Sequence, residues 1–304
     1  MSRPVMARGW AMGSEAMVAG VELGGTKSIA VVGRGHEIID RFRVPTTTPE
    51  ETLGALSAKL AAWRDAYRPE AIGIASFGPI SVSEGRMLPT PKPHWAGADI
   101  VGPLGDGFDR VAFHTDVTGA ALGEGRYGAA AGLSDYLYVT VGTGVGMGII
   151  VGGQPVTGMM HPEAGHIRVR RRTGDDFAGA CPFHGDCLEG LVSGPAIAAR
   201  TGKPAHLLTA DDPAWRDVAD ALGEAFATLF LTLSPARIIV GGGVGLGQPQ
   251  LLPMVRERVV AALGGYLGFV DAQSIDERIV PAGLGDEAGP LGTMVMAQAL
   301  LDAA

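Results

Sequence analysis

Two segments of the 304-residue chain share one pattern, in which an apolar strand leads through a glycine turn into a second apolar strand. The first segment, "VAGVELGGTKSIAVVG", begins at Val18, and the second, "DYLYVTVGTGVGMGIIVGG", begins at Asp135. Apolar runs of this kind, bounded by glycine, are typical of strands in a buried sheet. The chain also holds 47 glycines, about twice the usual ~7% share. The repeat predicts two halves of related α/β architecture.

The remaining periodicities extend this pattern. Helical spacing in "PEETLGALSAKLAAWRDAY" is followed by the apolar strands "AIGIASFG" and "RVAFHTD", which is the element order of an RNase H-like unit. The second half adds the helical "PAWRDVADALGEAFATLFLTLS" and "LLPMVRERVVAALGGYL" on either side of the strand "RIIVGGGVG", and "GPLGTMVMAQALL" predicts a last helix. We expect residues 18–114 with 289–304 to form a small domain, residues 115–288 to form a large one, and a cleft to lie between them. Residues 1–17 are expected to be a flexible extension.

Composition excludes several classes of protein. A net charge of −8 disfavours nonspecific binding to nucleic acid or to an anionic membrane surface. The sequence contains neither an apolar run of about 20 residues nor the apolar core of a secretory signal. Only two cysteines are present, which favours reduced thiols and a cytoplasmic location. The one basic run, from Arg168 to Arg172, is interpreted as a solvated strand edge rather than as a phosphate site.

Three glycine turns follow predicted strands: "ELGGTK", "VGTGVGMG" and "GGGVG". Glycines allow backbone N–H groups to point at one anion without an intervening Cβ, and a threonine hydroxyl adds a donor. Any one turn is explained equally well by a plain hairpin, but three at strand ends favour binding of phosphate. The Walker spacing is absent, and "GTGVGMG" joins two strands instead of opening a helix as a dinucleotide fingerprint does.

Asp116 stands where the strand "RVAFHT" gives way to a predicted helix. Aspartate is common as a helix N-cap, where its side chain accepts a backbone N–H. A carboxylate at the carboxyl end of a strand also suits a general base. Both interpretations remain open on position alone.

Both cysteines lie in a single loop, residues 161–190. Cys181, His184 and Cys187 are separated by two residues each, so a compact turn can aim all three at one centre. His166 can complete a tetrahedral zinc site with two cysteines and two histidines, and His161 is a competing ligand. The alternative is an incidental thiol pair beside surface histidines. Four protein ligands would make the zinc structural, because no position stays open for water.

Glu163 and Glu189 lie within three residues of the expected zinc ligands. Isolated glutamates are usually solvated surface charges. A bound metal would hold these two rigidly, however, and fixed carboxylates are good acceptors for sugar hydroxyls. The loop therefore predicts a metal-shaped site for a polyol.

Six motifs together resemble the ROK family of sugar kinases and repressors, and in particular its bacterial fructokinase branch. They are "GVELGGTK", "TDVTGAALGE", "VGTGVGMGIIVGG", "HPEAGH", "CPFHGDCLEGLVSGPA" and "IIVGGGV". The resemblance runs from about residue 18 to the C-terminus. It implies an actin-like sugar-kinase fold of two RNase H-like domains, ATP-dependent phosphorylation of a hexose with Mg²⁺, and a homodimer.

The resemblance also assigns roles to individual residues. Asp116 matches the catalytic aspartate of the family. The other matching positions are the sugar contacts Glu163, His166 and Glu189; the ATP-binding residues Gly24, Gly25, Thr26, Lys27, Gly142, Thr143, Gly144, Gly241, Gly242 and Gly243; and the zinc ligands His166, Cys181, His184 and Cys187.

Several positions depart from the family pattern. Thr115 and Thr118 stand where asparagine is common, and Glu22 stands where aspartate is frequent, which leaves its part in magnesium binding open. His184 replaces a cysteine of the glucokinase-type loop, and this points toward fructokinase. A glucokinase, a mannokinase or a broad hexokinase remains the first alternative. A sugar-responsive regulator is disfavoured, because it would need a DNA-binding segment before the kinase-like part and the first 18 residues show no such pattern. A zinc hydrolase is disfavoured because four protein ligands would leave no metal position open for water.

Overall fold

The computed structural model describes residues 16–302. The predicted flexible extension therefore lies outside the described residues, apart from Ala16 and Met17. Met17 packs against the apolar core of the first unit, and its carbonyl accepts the N–H of Glu70 at 2.8 Å.

The chain folds into two compact units. The first contains the described residues up to Ser134, the segment Gly152–His161 and the residues from Gly283 onward. The second contains Asp135–Val151 and Pro162–Ala282. The domain boundaries that the sequence suggests, at residues 115 and 288, remain a prediction.

The strands of the two units are β1 (Val18–Leu23), β2 (Lys27–Arg34), β3 (Glu37–Pro45), β4 (Ile72–Ser76), β5 (Ile80–Ser81), β6 (Arg86–Met87), β7 (Val111–Thr115), β8 (Tyr136–Val141), β9 (Val145–Val151), β10 (Gln154–Pro155), β11 (Arg237–Gly241) and β12 (Ile279–Pro281). The helices are α1 (Pro49–Tyr67), α2 (Val101–Gly105), α3 (Asp116–Tyr127), α4 (Leu188–Val192), α5 (Gly194–Thr201), α6 (Ala214–Leu233), α7 (Leu251–Leu263), α8 (Ile275–Arg278) and α9 (Ala288–Asp302).

The two main sheets repeat one topology. The first has the strand order β3-β2-β1-β4-β7 and the second has the order β10-β9-β8-β11-β12. In each sheet an antiparallel pair joined by a glycine turn, β1–β2 or β8–β9, leads into parallel neighbours. The predicted duplication of an α/β unit is confirmed.

Helix α1 has the bounds that its sequence predicts. The Thr48 side chain accepts the N–H of Glu51 at 3.3 Å, Pro49 occupies the first turn, and Arg68 ends the helix in a left-handed conformation. Leu56 and Leu60 are fully buried in the core between this helix and the sheet. Local capping and apolar spacing therefore suffice to define the element.

Helices α3 and α9 touch backbone to backbone. A Cβ at Gly292 would lie 1.8 Å from the carbonyl oxygen of Gly119, and a Cβ at Gly123 would lie 2.4 Å from that of Ala288. Glycine at these positions allows the close approach, at the cost of helix propensity. The crossing fixes α3, which begins at Asp116, against the helix that covers the first sheet.

None of the helices in the described part of the chain combines the length and apolar character needed to span a bilayer.

Candidate functional site

The first glycine turn joins β1 to β2 in the first unit. It is closed by the N–H of Gly24, which donates to the carbonyl of Lys27 at 3.1 Å. The position of a Cβ on Gly25 is open, with nothing within 4 Å. Packing within the protein therefore does not require a glycine at position 25. A ligand that approaches the backbone there would require one, because a side chain would obstruct it. The exposed Lys27 ammonium lies 3.6 Å from a carboxylate oxygen of Asp286.

The second and third glycine turns lie side by side in the second unit, because β8 and β11 are parallel neighbours. The N–H of Val244 donates to the carbonyl of Val141 at 2.9 Å. Gly242 has a φ of +84°, which lies in the left-handed region that favours glycine. A Cβ on Gly243 would meet nothing within 4 Å. The paired turns thus form one backbone surface with room for a ligand.

Helix α5 begins beside the second turn. The N–H of Gly194 donates to the carbonyl of Gly142 at 2.7 Å, and the Ser193 side chain caps the helix through the N–H of Ala196. The three predicted residues of this turn, Gly142, Thr143 and Gly144, connect β8 to β9. A helix N-terminus at this position adds positive potential that favours an anion.

Asp116 is the first residue of α3, but it is not the N-cap. Thr115 caps the helix: its hydroxyl oxygen accepts the N–H of Thr118 at 3.2 Å, and the two threonine hydroxyls lie 2.7 Å apart. The cap hypothesis for Asp116 is therefore wrong. The two threonines that depart from the family pattern have a structural task, because both are buried and they brace the start of the helix.

Burial raises the pKa of Asp116 from 3.8 to about 6, although one carboxylate oxygen accepts the N–H of Val117 at 2.8 Å. Burial likewise raises the pKa of Glu22 from 4.5 to about 7, and the negative charge of Asp116 adds to this effect. The Glu22 carboxylate lies against the first turn of α9, since a Cβ on Gly289 would be 2.3 Å from it. The first unit thus holds two carboxyl groups that ionise near neutrality, which suits proton transfer.

The position directly before Thr115 holds a histidine that sequence reasoning missed. His114 accepts the N–H of Thr115 through Nδ1 at 3.0 Å. Burial, with the nearby His161, lowers the pKa of His114 to about 4. The ring is therefore neutral at physiological pH. No motif or spacing in the sequence indicates that this histidine is neutral and contacts the residue that caps α3.

Four side chains converge in the second unit: His166, Cys181, His184 and Cys187. One potential ligand atom from each lies within 4.8 Å of all the others. The Nδ1 of His166 lies 3.5 Å from the Sγ of Cys187 and 3.7 Å from that of Cys181, and the Nδ1 of His184 also lies 3.7 Å from Cys181 Sγ. The predicted quartet is thus brought together.

These distances fit a tetrahedral metal. Zinc bonds of about 2.3 Å to sulfur and about 2.0–2.1 Å to nitrogen place ligand sulfur and nitrogen atoms about 3.6 Å apart. Burial also raises the pKa of the Cys187 thiol, so a thiolate there gains from a bound cation. His161, the alternative ligand, uses its Nε2 to accept the N–H of Ile80 at 3.1 Å in the first unit. The residues present therefore fit a closed zinc site.

Backbone contacts hold the loop that carries this quartet. Cys181 and Gly185 exchange two backbone hydrogen bonds, of 3.1 and 2.9 Å. His166 ends a 3-10 turn, and a Cβ on Gly165 would lie 1.9 Å from the carbonyl oxygen of Val145 on β9. The turn is therefore pressed directly onto the second sheet.

The basic run is not a strand edge, and that expectation is wrong. Residues 167–172 lie outside any strand. Arg168 and Arg171 both pair with Asp186, inside the metal loop, and Arg171 also pairs with Asp175 at 3.1 Å. Arg172 pairs with aspartates of α6. Arg168 and Arg171 thus pair with acids in and beside the metal loop, and Arg172 ties the run to α6.

The two predicted sugar-contacting glutamates both lie in the second unit. The Glu189 carboxylate accepts the N–H of Val145 at 3.0 Å, so it rests against the second glycine turn. Glu163 precedes the 3-10 turn, and its carbonyl accepts the N–H of His166 at 3.0 Å. Because Nδ1 of His166 faces the thiols, its Nε2 is the ring atom that remains for another partner.

The two related α/β units of this chain, with glycine turns at their strand ends, have the actin-like sugar-kinase fold, and solved structures agree. The ROK hexokinase from Thermus thermophilus superposes with a TM-score of 0.80 at 28% identity, covering 95% of this chain and 100% of that one. The ROK family glucokinase from Streptomyces griseus, solved with glucose and AMPPNP, gives 0.72 at 27% identity, covering 93% and 100%.

Sequence comparison identifies the family. Residues 18–300 match the sequence model of the ROK family. The chain is similar to the fructokinase of Pediococcus pentosaceus, with 40% identity over 292 residues, 94% of this chain and 99% of that relative. It is equally similar to the fructokinase of Zymomonas mobilis, with 40% identity over 293 residues, 92% and 95% of the two chains. The chain belongs to the ROK family.

Proposed function

We propose that this protein is an ATP-dependent fructokinase that converts D-fructose and ATP to fructose 6-phosphate and ADP. The observation that carries the proposal is Asp116, whose carboxyl group lies directly after the edge strand β7 and is free of the capping task, because Thr115 caps α3. The group is buried enough to have a pKa of about 6, so it is largely ionised at pH 7 and still basic. Similarity to fructokinases supports the choice of sugar.

In the proposed reaction Asp116 accepts the proton of the sugar 6-hydroxyl as its oxygen attacks the terminal phosphorus of ATP. A bond forms between that oxygen and phosphorus, the bond from phosphorus to the bridging oxygen breaks, and ADP leaves with the electron pair. Phosphoryl transfer requires positioning and charge neutralisation more than covalent catalysis. A general base typically contributes about 10²–10⁴-fold to the rate.

The glycine turns are proposed to hold the phosphates of the substrate Mg–ATP. Gly24, Gly25, Thr26 and Lys27 form the first turn. The paired turns of the second unit, Gly142–Gly144 and Gly241–Gly243, would bind the rest of the nucleotide. Open space at Gly25 and Gly243 supports this role, because a side chain there would obstruct an approaching ligand.

Glu163, His166 and Glu189 are proposed as contacts to the sugar hydroxyls. Their assignment to the same sugar as Asp116 follows from family resemblance. Within the second unit, Glu189 also rests on the second glycine turn. A carboxylate that contacts both the sugar and this turn would couple the position of the sugar to that of the nucleotide.

We propose zinc as the ion held by His166, Cys181, His184 and Cys187, whose spacing fits its bond lengths. Zinc would supply a fixed centre that orders the loop and sets the tautomer of His166. The chemistry then belongs to the protein side chains: His166 would present Nε2 to the sugar. A cytoplasmic location remains a prediction from the cysteine content, and a homodimer remains a prediction from the family resemblance.

A coupled ADP-release assay over a panel of hexoses, with Mg–ATP and equal enzyme concentrations, tests the function. The expected result is that kcat/KM is highest for fructose and that Asp116→Ala lowers kcat by at least about 10²-fold. A higher kcat/KM for glucose or mannose would support the glucokinase or mannokinase alternative. Absence of ADP release with every sugar would refute the proposal and leave a regulator as the remaining candidate.

A further inference from the structure

The segment that follows β6 is held firmly beside the first glycine turn, although it has no regular secondary structure. Trp95 is fully buried, and its indole N–H donates to the carbonyl of Thr47 at 2.7 Å. The Trp95 ring packs edge-on against Phe77, with ring centroids 5.1 Å apart. Phe77 in turn donates its N–H to the carbonyl of Leu23, where the turn begins. The segment is therefore placed by its own anchors.

Lys92 reaches from this segment to the turn itself. Its Nζ lies 2.6 Å from the carbonyl oxygen of Gly25 and 5.8 Å from the centre of the Phe77 ring. No carboxylate among residues 16–302 forms an ion pair with this ammonium. Lys27, the last residue of the first glycine-turn motif, differs from Lys92 because it pairs with Asp286. The charge of Lys92 is thus balanced only by a carbonyl dipole and an aromatic face.

The contact of the Lys92 ammonium with the Gly25 carbonyl is exposed, and a neutral donor would serve that carbonyl as well, so a structural tether alone does not require a positive charge. The same ammonium is well placed for an anion that arrives at Gly25, where the backbone is open. Lysine binds phosphate as a point charge, and a charged hydrogen bond to phosphate oxygen is stronger than one to a carbonyl.

We propose that Lys92 binds the terminal phosphate of ATP. It exchanges its contact with the Gly25 carbonyl for a phosphate oxygen, and it neutralises charge on the group that is transferred. This inference rests on the proposed kinase function and adds, from outside the glycine-turn motif, a second cation to Lys27 within it.

Nucleotide binding to the full-length protein, measured by calorimetry with Mg²⁺ and either AMP or AMP-PNP, separates a phosphate contact from a tether. Lys92→Met is expected to weaken AMP-PNP binding by about 10- to 100-fold, as for loss of one charged hydrogen bond. AMP binding should change less than twofold. Lys92→Arg keeps the cation and is expected to restore most of the AMP-PNP affinity.

Two matched controls complete the design. Trp95→Phe loosens the segment but leaves the cation, and should weaken AMP and AMP-PNP equally or not at all. Lys203→Met removes an exposed lysine of the second unit and should change neither affinity. If Lys92→Met unfolds, Lys92→Gln at the same position replaces it in both titrations.

Equal AMP-PNP affinity in wild type and the charge-free variants would overturn the assignment of Lys92, as would an equal loss for AMP and AMP-PNP. Either result leaves the kinase function intact, provided that the wild-type protein releases ADP with fructose. Failure of the wild type itself to bind AMP-PNP and to release ADP would instead refute the kinase function and, with it, this role for Lys92.

Discussion

Replacing Asp116 with asparagine is expected to stabilise the protein while nearly abolishing its activity. Burial raises the pKa of Asp116 from 3.8 to about 6, so the ionised form is disfavoured in the folded state. Each tenfold change in proton affinity corresponds to about 1.4 kcal/mol, which makes the cost about 3 kcal/mol at pH 8. The asparagine oxygen can still accept the N–H of Val117, and Thr115 still caps the helix.

The sign of the pH dependence follows from the raised pKa. The cost is absent well below pH 3.8, where the carboxyl group is protonated in both states; it grows as the unfolded form ionises and is complete above about pH 7, once the folded form has also ionised. The gain in the free energy of unfolding of Asp116→Asn should therefore approach 3 kcal/mol at pH 8 and fall to about half at pH 5.

Urea denaturation of both proteins at pH 5 and pH 8, followed by circular dichroism, measures this difference. Steady-state kinetics of the same samples should show a loss of at least about 10²-fold in kcat. Thr118→Ser, which keeps a hydroxyl beside the cap, is the matched control. A variant that is less stable than wild type, or whose gain in stability is equal at both pH values, would refute the reasoning.

The remaining predictions concern protonation, packing and metal. kcat/KM for fructose should rise about tenfold per pH unit below about pH 6, as Asp116 ionises, and a flat profile would contradict this. Gly292→Ala should lower the free energy of unfolding by about 1–3 kcal/mol or more in urea denaturation, since its Cβ would meet the Gly119 carbonyl at 1.8 Å. Glu124→Gln should cost about 1–3 kcal/mol by the same measurement, because this fully buried carboxylate accepts three backbone N–H groups; an unchanged midpoint would count against it. Elemental analysis should find about one zinc per chain, and the double Cys-to-Ser variant should lose both zinc and fructose affinity.

Features with short-range causes were predictable from the sequence. The bounds of α1 follow from Thr48, Pro49 and the apolar spacing, and the duplicated strand–turn–strand pattern predicts both sheets. The metal quartet was also predictable, because three of its members lie within seven residues and a compact turn needs little else.

Two kinds of feature were not predictable: the choice between neighbouring residues that suit the same role, and contacts with distant parts of the chain. Thr115 and Asp116 are adjacent and both suit an N-cap, so only the structure shows which one caps α3. Glycine at Gly292 disfavours a helix by propensity, and its purpose appears only where α3 crosses α9. The basic run finds its acids partly on α6, more than forty residues away. The contact of Lys92 with Gly25 spans 67 positions.

The most direct test of the account is to identify the product. Purified protein is incubated with fructose and Mg–ATP, and formation of fructose 6-phosphate is followed through phosphoglucose isomerase and glucose-6-phosphate dehydrogenase. We expect one NADPH per ADP released, with the signal lost in Asp116→Ala. ADP release without NADPH, or equal rates in the variant, would contradict transfer of phosphate to the 6-hydroxyl by this site.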